Sequence, residues 1–352
     1  MEYGVRTIEA VALLKRLIAT PSVSRDEAAA ADVMEDFLRA KGLATLRKGN
    51  NVWCVSPDFD ESRPTILLNA HLDTVKPVAG WVRDPFTPTV EGDRLYGLGS
   101  NDCGGGLVAL LQVFLHLGGR TATHNLVFLA SCEEEVSGRD GIESVLPLLP
   151  EIDFAIVGEP TGMQPAIAEK GLMVIDAVAH GKAGHAARNE GVNAIYRAMQ
   201  DILWLKEWEF PRRSALLGPV KQTVTIIQAG TQHNVVPDAC MFTIDVRSNE
   251  CYTNEEIFAF FQEHLSSELK ARSFRLSSSQ IPLEHPFVQA CIREGLKPFG
   301  SPTLSDQALM RFPSLKLGPG NSSRSHTADE YLKISEIDEA ISLYGKILAP
   351  LP

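Results

Sequence analysis

Thr65-Ile66-Leu67-Leu68-Asn69-Ala70-His71-Leu72-Asp73 is the stretch of this sequence that decides the fold. Its first four residues form a short apolar run, which predicts a buried strand. His71 and Asp73 follow, and their side chains point the same way if the chain stays extended. Open α/β sheets place their chemistry just beyond the carboxyl ends of such strands. A histidine held by an aspartate for structural reasons is the alternative, and it is favoured unless other segments supply partners for His71.

Two later segments end in the same way. Residues 126–131 form an apolar run that leads into Glu133-Glu134-Glu135, and residues 154–158 lead directly to Glu159. A run of carboxylates is usually a solvated surface, but this run follows a core strand. Three apolar strands that each end in ionisable side chains predict an α/β fold with a mostly parallel sheet flanked by helices.

A further aspartate lies in the glycine-rich loop Gly97-Leu98-Gly99-Ser100-Asn101-Asp102-Cys103-Gly104-Gly105-Gly106. The glycines indicate a tight backbone around the Asp102 carboxylate, just ahead of an apolar helix. A phosphate-binding loop is the alternative interpretation, but neither GxGxxG nor GxxxxGK[ST] fits these residues. We therefore treat Asp102 as a candidate functional carboxylate.

The order of the predicted elements indicates two domains, as expected for a chain of 352 residues. Helices and strands alternate in residues 1–169, where a capping box at residues 24–27 predicts the start of the second helix. The same alternation resumes in residues 283–352. Between them, residues 170–282 predict the order β-α-β-β-α-β, the split βαβ arrangement of a small two-layer domain. Its last strand is predicted at residues 273–279.

Composition excludes several classes of function. The formal charge of -11 argues against nucleic acid and anionic membrane as partners. No apolar run approaches the ~18 residues of a membrane span, and the first residues lack the basic and apolar regions of a signal peptide. The six cysteines are scattered without a CxxC pair. They predict reduced thiols in a cytoplasmic protein.

The ionisable residues at the strand ends and tight loops form a candidate metal-binding set, namely His71, Asp102, Glu135, Glu159 and His326. Two imidazoles and three carboxylates suit zinc, cobalt or manganese, whereas a closed structural site would use thiolates. Five ligands exceed the need of one tetrahedral ion, so one carboxylate is expected to bridge two ions, and Asp102 is the natural bridge. Asp73 can then orient the ring of His71, and Glu134 can move a proton.

These residues resemble the motifs of the M20 family of zinc-dependent amidohydrolases and metallopeptidases, in its acetylornithine deacetylase and succinyl-diaminopimelate desuccinylase branch. The motifs, in chain order, are His71-Leu72-Asp73, the loop 97–106, Glu134-Glu135, Glu159-Pro160 and the segment 326–330. The resemblance covers nearly the whole chain. A shift of one residue within the three glutamates is the alternative register.

The resemblance implies a role for each residue of the centre. His71, Asp102 and Glu159 would hold one ion, and His326, Asp102 and Glu135 the other. Glu134 would be the general base and Asp73 the residue that orients His71. The ions would be zinc, with cobalt or manganese possible, and the Asp102–Cys103 peptide bond would be cis.

The resemblance also implies the domain roles. A phosphorylase/hydrolase-like catalytic domain would carry the ions, and the inserted ferredoxin-like domain would be a lid through which two chains form a homodimer. In the lid, His185 resembles the histidine that stabilises the oxyanion across the dimer, while Asn234 and Arg247 resemble residues that bind the substrate carboxylate. An exposed histidine without a role and a structural ion pair are the alternatives for His185 and Arg247.

The expected reaction is the hydrolysis of a small N-acyl amino acid. N-acetylornithine is the first expectation, with N-acetylcitrulline or N-succinylcitrulline beside it, as in arginine biosynthesis. Succinyl-diaminopimelate and small peptides are the alternative substrates. A metal-binding protein without catalysis is a different class of function, and the presence of both base and ligands argues against it.

Overall fold

The computed structural model describes residues 3–121, 123–188 and 190–351. Contacts divide the chain into two compact units, of which the first comprises Met1–Ile167, Gln280–Phe299 and Ser305–Pro352. The second unit comprises Ala168–Ser279 and Gly300–Leu304. The short segment 300–304 was not part of the predicted insertion. It belongs there because the Lys170 amide donates a hydrogen bond to the Ser301 carbonyl at 3.2 Å.

Most of a nine-stranded sheet belongs to the first unit. Its strands, in order across the sheet, are β1 (Leu46–Lys48), β2 (Asn51–Val55), β6 (Asn125–Ser131), β3 (Thr65–His71), β7 (Phe154–Val157), β17 (Ser314–Lys316), β8 (Ala166–Glu169) and β15 (Ser279–Gln280), with β16 (Phe299–Ser301) paired to β8. The neighbours β6, β3, β7 and β17 are parallel. The predicted mostly parallel sheet is therefore confirmed.

Helices cover both faces of this sheet. They are α1 (Val5–Ile18), α2 (Ala28–Ala40), α3 (Gly105–Leu117), α4 (Ile142–Val145), α7 (Pro286–Arg293) and α8 (Ile334–Leu348). Every residue of β3 and β6 is buried. Ile66 and Leu68 pack into one hydrophobic cluster and Leu67 into another, because side chains alternate across a strand. This two-sided burial explains why the core strands have continuous apolar sequences.

The predicted capping box at residues 24–27 is wrong. Helix α2 begins at Ala28, and Glu27 precedes it without capping it through its side chain. The buried Glu27 carboxylate instead accepts hydrogen bonds from the Arg25 amide at 2.6 Å, the Asn50 side chain at 3.0 Å and the Glu133 amide at 3.2 Å. Glu27 thus holds the backbone at the start of the glutamate run 133–135 and does not cap the N-terminus of α2.

The second unit has the predicted β-α-β-β-α-β order. Its elements are β9 (Met173–His180), α5 (Ala194–Glu207), β11 (Lys221–Ala229), β13 (Ala239–Arg247), α6 (Asn254–His264) and β14 (Glu268–Ala271), with a small ribbon of β10 (Gly184–His185) and β12 (Val235–Val236). The sheet order is β11-β13-β9-β14, with every pair antiparallel. This is the ferredoxin-like arrangement, which confirms that part of the fold prediction.

The last strand of the second unit was predicted in the wrong place. It is β14, whereas the segment 273–279 was expected to form it. The Asn254 side chain donates hydrogen bonds to the carbonyls of Phe274 and Leu276 at 3.2 and 2.9 Å. A side chain therefore satisfies backbone groups that a sheet would otherwise have paired.

A three-stranded sheet completes the first unit, with the order β18 (Tyr331–Lys333), β5 (Arg94–Tyr96) and β4 (Thr89–Glu91). It adjoins the loops that carry Asp102 and His326, because the Gly97 amide donates to the Glu330 carbonyl at 3.0 Å. In the parts of the chain that the structure describes, no helix is both long and apolar enough to cross a membrane.

Candidate metal centre

The five candidate ligands converge at the carboxyl edge of the parallel strands. His71 is the last residue of β3, and Glu135 and Glu159 lie just beyond the ends of β6 and β7. Asp102 lies in the turn Ser100–Gly104 that precedes α3. His326 comes from the loop before β18. Parallel strands end at one edge of a sheet, so residues far apart in sequence meet there.

Asp102 stands between the two histidines. Its Oδ1 lies 3.4 Å from Nε2 of His71, and its Oδ2 lies 3.5 Å from Nε2 of His326. Oε1 of Glu159 is 3.7 Å from the His71 ring, and Oε2 of Glu135 is 3.0 Å from the His326 ring. Each histidine therefore lies near Asp102 and one glutamate, and the Glu135 carboxylate also lies near the His71 ring.

The donor set fits divalent cations. The ligand atoms of His71, Asp102 and Glu135 all lie within 4.8 Å of one another. Oε1 of Glu159 is buried, and it has no hydrogen-bond partner within residues 3–121, 123–188 and 190–351. A buried carboxylate oxygen without a partner is costly unless a cation or proton satisfies it. Imidazole nitrogens and carboxylate oxygens are ligands suited to zinc, cobalt and manganese.

The pKa values of two candidate ligands also fit a site for cations. Burial and the charge of Asp102 raise the pKa of Glu159 to about 8. The hydrogen bond to Glu135 raises the pKa of His326 to about 9. With these raised pKa values, protons would bind in the absence of an ion to atoms that a metal ion would otherwise hold, and metal binding would release them.

Cys103 also lies beside His71. Its Sγ falls within 4.8 Å of ligand atoms of His71 and Glu159, and it accepts a hydrogen bond from the His71 amide at 3.2 Å. Burial raises the pKa of the Cys103 thiol, which disfavours the thiolate that a metal ligand requires. The thiol therefore serves to pack against the backbone of β3. The Asp102–Cys103 peptide bond is cis, as the resemblance implied.

The three consecutive glutamates have different surroundings. The carboxylate of Glu135 faces His326, whereas Glu133 lies 4.0 Å from Arg25 and away from the histidines. Burial, followed by the charges of Glu159 and Asp306, holds the pKa of Glu134 well above its ordinary value. These contacts favour the register in which Glu135 is the ligand and Glu134 lies beside it.

Asp73 contacts more than the ring that it was predicted to orient. Nδ1 of His71 lies 2.8 Å from the Asp73 carbonyl oxygen and 3.6 Å from its carboxylate. The carboxylate accepts hydrogen bonds from the amides of Glu134 at 3.0 Å and Glu135 at 3.1 Å, and from the Ser24 hydroxyl at 2.7 Å. Asp73 therefore holds the glutamate pair through its carboxylate and the His71 ring through its carbonyl.

Sequence reasoning missed a buried network behind the strand ends. The Ser131 hydroxyl donates to Oδ2 of Asp306 at 2.6 Å and lies 2.9 Å from the Asn69 side-chain amide. Burial raises the pKa of Asp306 to about 7. A buried aspartate in a short 3-10 turn has no sequence signature of its own. The Ser131 at the end of β6 was the available signal, since a buried hydroxyl needs a partner.

The three candidate residues of the second unit lie in two places. His185 is exposed on β10, opposite Val235, and the Ala186 amide donates to the Asn234 carbonyl at 3.0 Å. His185 and Asn234 are thus neighbours. Arg247 ends β13, where its guanidinium pairs with the carboxylate of Asp245 at 2.8 Å. The ion pair that was the alternative for Arg247 is present.

A known protein family matches most of this chain. The sequence pattern of peptidase family M20/M25/M40 matches residues 67–349, which include all five candidate ligands. The chain belongs to this family. It is an M20-family hydrolase, and its candidate metal ligands lie within the region that defines the family.

Two curated relatives and one solved structure illustrate the family likeness. The acetylornithine deacetylase of Proteus mirabilis is 26% identical over 370 residues, covering 96% of this chain and 95% of that protein. The succinyl-diaminopimelate desuccinylase of a Wolbachia strain is 26% identical over 290 residues, covering 78% and 73%. A Bacillus subtilis protein described as a dinuclear metal-binding peptidase of the M20 family superposes with a TM-score of 0.72 at 18% identity, covering 97% of each chain. Equal identity to the first two does not separate their substrates.

Proposed function

We propose that this M20-family hydrolase uses two divalent metal ions, zinc in the first instance and cobalt or manganese as substitutes, to cleave the amide bond of an N-acyl amino acid. The position of Asp102 carries the proposal. Its two carboxylate oxygens face the two imidazoles at 3.4 and 3.5 Å, which suits a carboxylate that bridges two ions. His71 and Glu159 would complete one ion site, and His326 and Glu135 the other.

The residues around Asp102 would each have a role in such a reaction. When bound, the two cations would polarise the amide carbonyl and acidify a water molecule. Glu134 would take the proton of the attacking water and return it to the leaving amine. Asp73 would hold Glu134 in place, since its carboxylate accepts the Glu134 amide hydrogen bond at 3.0 Å.

The second unit would complete the reaction. We propose that His185 stabilises the developing oxyanion, as its resemblance to the family histidine implies. Asn234 and Arg247 would bind the carboxylate of the substrate amino acid. For Arg247 this requires the Asp245 carboxylate to share or release a guanidinium that it now holds at 2.8 Å.

N-acetylornithine is the proposed substrate, with N-acetylcitrulline and N-succinylcitrulline beside it, which would place the chain in arginine biosynthesis. Support comes from the acetylornithine deacetylase relative, which matches over 96% of this chain. Succinyl-diaminopimelate is the second candidate because the desuccinylase relative has the same 26% identity. A di- or aminopeptidase activity is the third.

A hydrolysis screen tests the proposal. The zinc- or cobalt-loaded protein is assayed for amine release from N-acetylornithine, N-acetylcitrulline, N-succinylcitrulline, N-succinyl-diaminopimelate and simple dipeptides. We expect one acylated amino acid to be preferred, and Glu134→Ala to reduce kcat by about 10²–10⁴-fold while both ions stay bound. Glu133→Ala is the matched control and should retain activity. No hydrolysis of any acylated amino acid, or full activity of Glu134→Ala, would contradict the proposal.

We also propose a cytoplasmic homodimer. The six cysteines form no disulfide and five are buried, in keeping with a reducing compartment. Strand β11 is an edge strand of its sheet, and Ile226 and Ile227 on it are 50% and 54% exposed. Long apolar edge strands favour pairing with another chain. A second copy of this chain would cover that edge.

Light scattering after size exclusion tests the dimer. Ile227→Lys is expected to shift the protein toward the monomer, because it would bury a charge at the paired edge. Val82→Lys is the matched control, since Val82 is 86% exposed and lies in the first unit. A wild-type monomer, or a dimer unaffected by Ile227→Lys, would contradict the proposed edge.

A further inference from the structure

Glu330 is a buried carboxylate beside the metal centre whose function is not explained by the ligand set. Its side chain is 1% exposed, and it directly precedes β18. Oε1 accepts hydrogen bonds from the amides of Asn101 at 2.8 Å and Asp102 at 3.0 Å, and Oε2 accepts from the Gly99 amide at 3.2 Å. No lysine or arginine in the described parts of the chain pairs with it. Its partners are therefore the backbone amides of the loop that carries Asp102.

The residue before Asp102 forms the other half of this arrangement. Asn101 is fully buried, and its side-chain amide donates to the Asn321 carbonyl and to the Ser325 hydroxyl, both at 3.1 Å. Its side-chain oxygen accepts from the Asn321 amide at 3.0 Å. Ser325 immediately precedes His326. The loop of Asp102 and the loop of His326 are thus joined although more than 200 residues separate them.

One glycine makes this close approach possible. A Cβ at Gly320 would lie 2.3 Å from the side-chain oxygen of Asn101, and Gly320 has a φ of +89°. Only glycine combines that conformation with that contact at low cost. We use the name loop clamp for the hydrogen bonds of Glu330 and Asn101 with residues 99, 101, 102, 321 and 325.

The loop clamp has a geometric consequence for the metal ions. As the proposed bridge, Asp102 would hold both ions, so a small rotation of its backbone would withdraw at least one of its carboxylate oxygens from them. Glu330 accepts hydrogen bonds from the amide of Asp102 itself and from the amides of Gly99 and Asn101 earlier in the same loop. The same clamp fixes the chain that leads into His326, which would hold one ion together with Asp102.

We propose that Glu330 is a positioning residue of the metal centre, which orients Asp102 as the bridge and, with Asn101, sets the distance between Asp102 and His326. This inference rests on the dinuclear centre proposed above. It assigns Glu330 no contact with ion or substrate. Its loss should therefore act first on metal affinity and on the ligand field of the bound metal.

Cobalt titration of the metal-free protein tests the proposal. Glu330→Ala removes the carboxylate, and Glu330→Gln keeps an oxygen that can still accept from Asn101 and Asp102. Asp201→Ala and Asp201→Asn are matched controls, because Asp201 is also a buried carboxylate that accepts backbone amides, from Ser266 at 3.1 Å and Ser267 at 2.9 Å, in the second unit. The readouts are cobalt stoichiometry, the dissociation constants and the visible absorption spectrum.

Wild type and both Asp201 variants are expected to bind two cobalt ions with the same spectrum. In Glu330→Ala the more weakly bound cobalt ion should bind at least about tenfold less tightly than in wild type, and the absorption spectrum should change. The cobalt affinity of Glu330→Gln should lie between those of wild type and Glu330→Ala. If Glu330→Ala does not fold, the change in cobalt affinity and spectrum of Glu330→Gln tests the positioning role. Wild-type constants and spectra in the Glu330 variants, or equal losses in the Asp201 variants, would overturn the positioning role. A wild-type protein that binds fewer than two cobalt ions would instead overturn the dinuclear centre itself.

Discussion

The positions of individual side-chain atoms determine how the five candidate metal ligands are grouped. His71 is 3% exposed at the end of a core strand, whereas the side chain of His326 is 52% exposed on a loop. Both imidazoles present Nε2 to Asp102, and the His71 ring is also held at Nδ1, which lies 2.8 Å from the Asp73 carbonyl oxygen. The two histidines therefore differ in how rigidly they are held, although both face the same carboxylate.

His326→Ala should remove one ion and leave the other, because His71, Asp102 and Glu159 keep their places. We expect about one zinc per chain after dialysis, where wild type holds two, and a loss of activity of at least about tenfold. Elemental analysis of the dialysed protein measures the stoichiometry. His180→Ala is the matched control, since the exposed His180 ring lies 3.0 Å from the Glu268 carboxylate in the second unit. Two tightly held ions in His326→Ala would exclude His326 as a ligand.

At the scale of elements, the centre depends on how closely α3 approaches the end of β7. A Cβ at Gly106, in the first turn of α3, would lie 1.7 Å from the carbonyl oxygen of Gly158. Gly158 directly precedes Glu159. The helix that follows Asp102 and the strand that leads to Glu159 thus meet backbone to backbone, which fixes the separation of two candidate ligands.

Gly106→Ala should destabilise the protein by about 1–3 kcal/mol, because the methyl group forces α3 away from β7. It should also weaken metal binding, since Asp102 and Glu159 move apart with those elements. Gly345→Ala in α8 is the control, because a Cβ there has no heavy atom within 4 Å. That change should be neutral or stabilising by up to about 1 kcal/mol. Urea unfolding of both variants measures the effect, and equal stabilities would refute the close packing.

At the scale of the whole molecule, the centre concentrates buried carboxylates that need cations or protons. Burial raises the pKa of Glu159 and of Glu330 to about 8, and that of Asp306 to about 7. The folded metal-free protein therefore keeps protons that the unfolded chain releases above pH ~4.5. Metal ions and protons compete for one buried site.

The stability of the metal-free protein should fall as pH rises from 6 to 9. Groups with raised pKa values contribute stability that is present below their unfolded pKa and is lost as pH passes the folded value. His326, with a pKa of about 9, adds to the loss in the same direction. Thermal melts with EDTA measure the fall, and melts with excess zinc should show a smaller one. A metal-free melting temperature that rises from pH 6 to 9 would contradict this linkage.

Patterns of neighbouring residues were sufficient to predict much of this protein. Apolar runs that end in His71, the glutamates and Glu159 predicted the parallel sheet and the edge at which these side chains meet, because strand burial and alternation are local properties. The β-α-β-β-α-β order of the second unit was readable for the same reason.

Only the tertiary structure decided the contacts that join distant loops. In the folded chain the Asp73 carboxylate accepts hydrogen bonds from the amides of Glu134 and Glu135. The Glu27 side chain does not cap α2, and Glu330 accepts from the amides of residues 99, 101 and 102. A carboxylate accepts any amide that folding brings within about 3 Å. Its partner is therefore determined by which loops become neighbours, whereas strand and helix patterns are determined by adjacent residues in the chain.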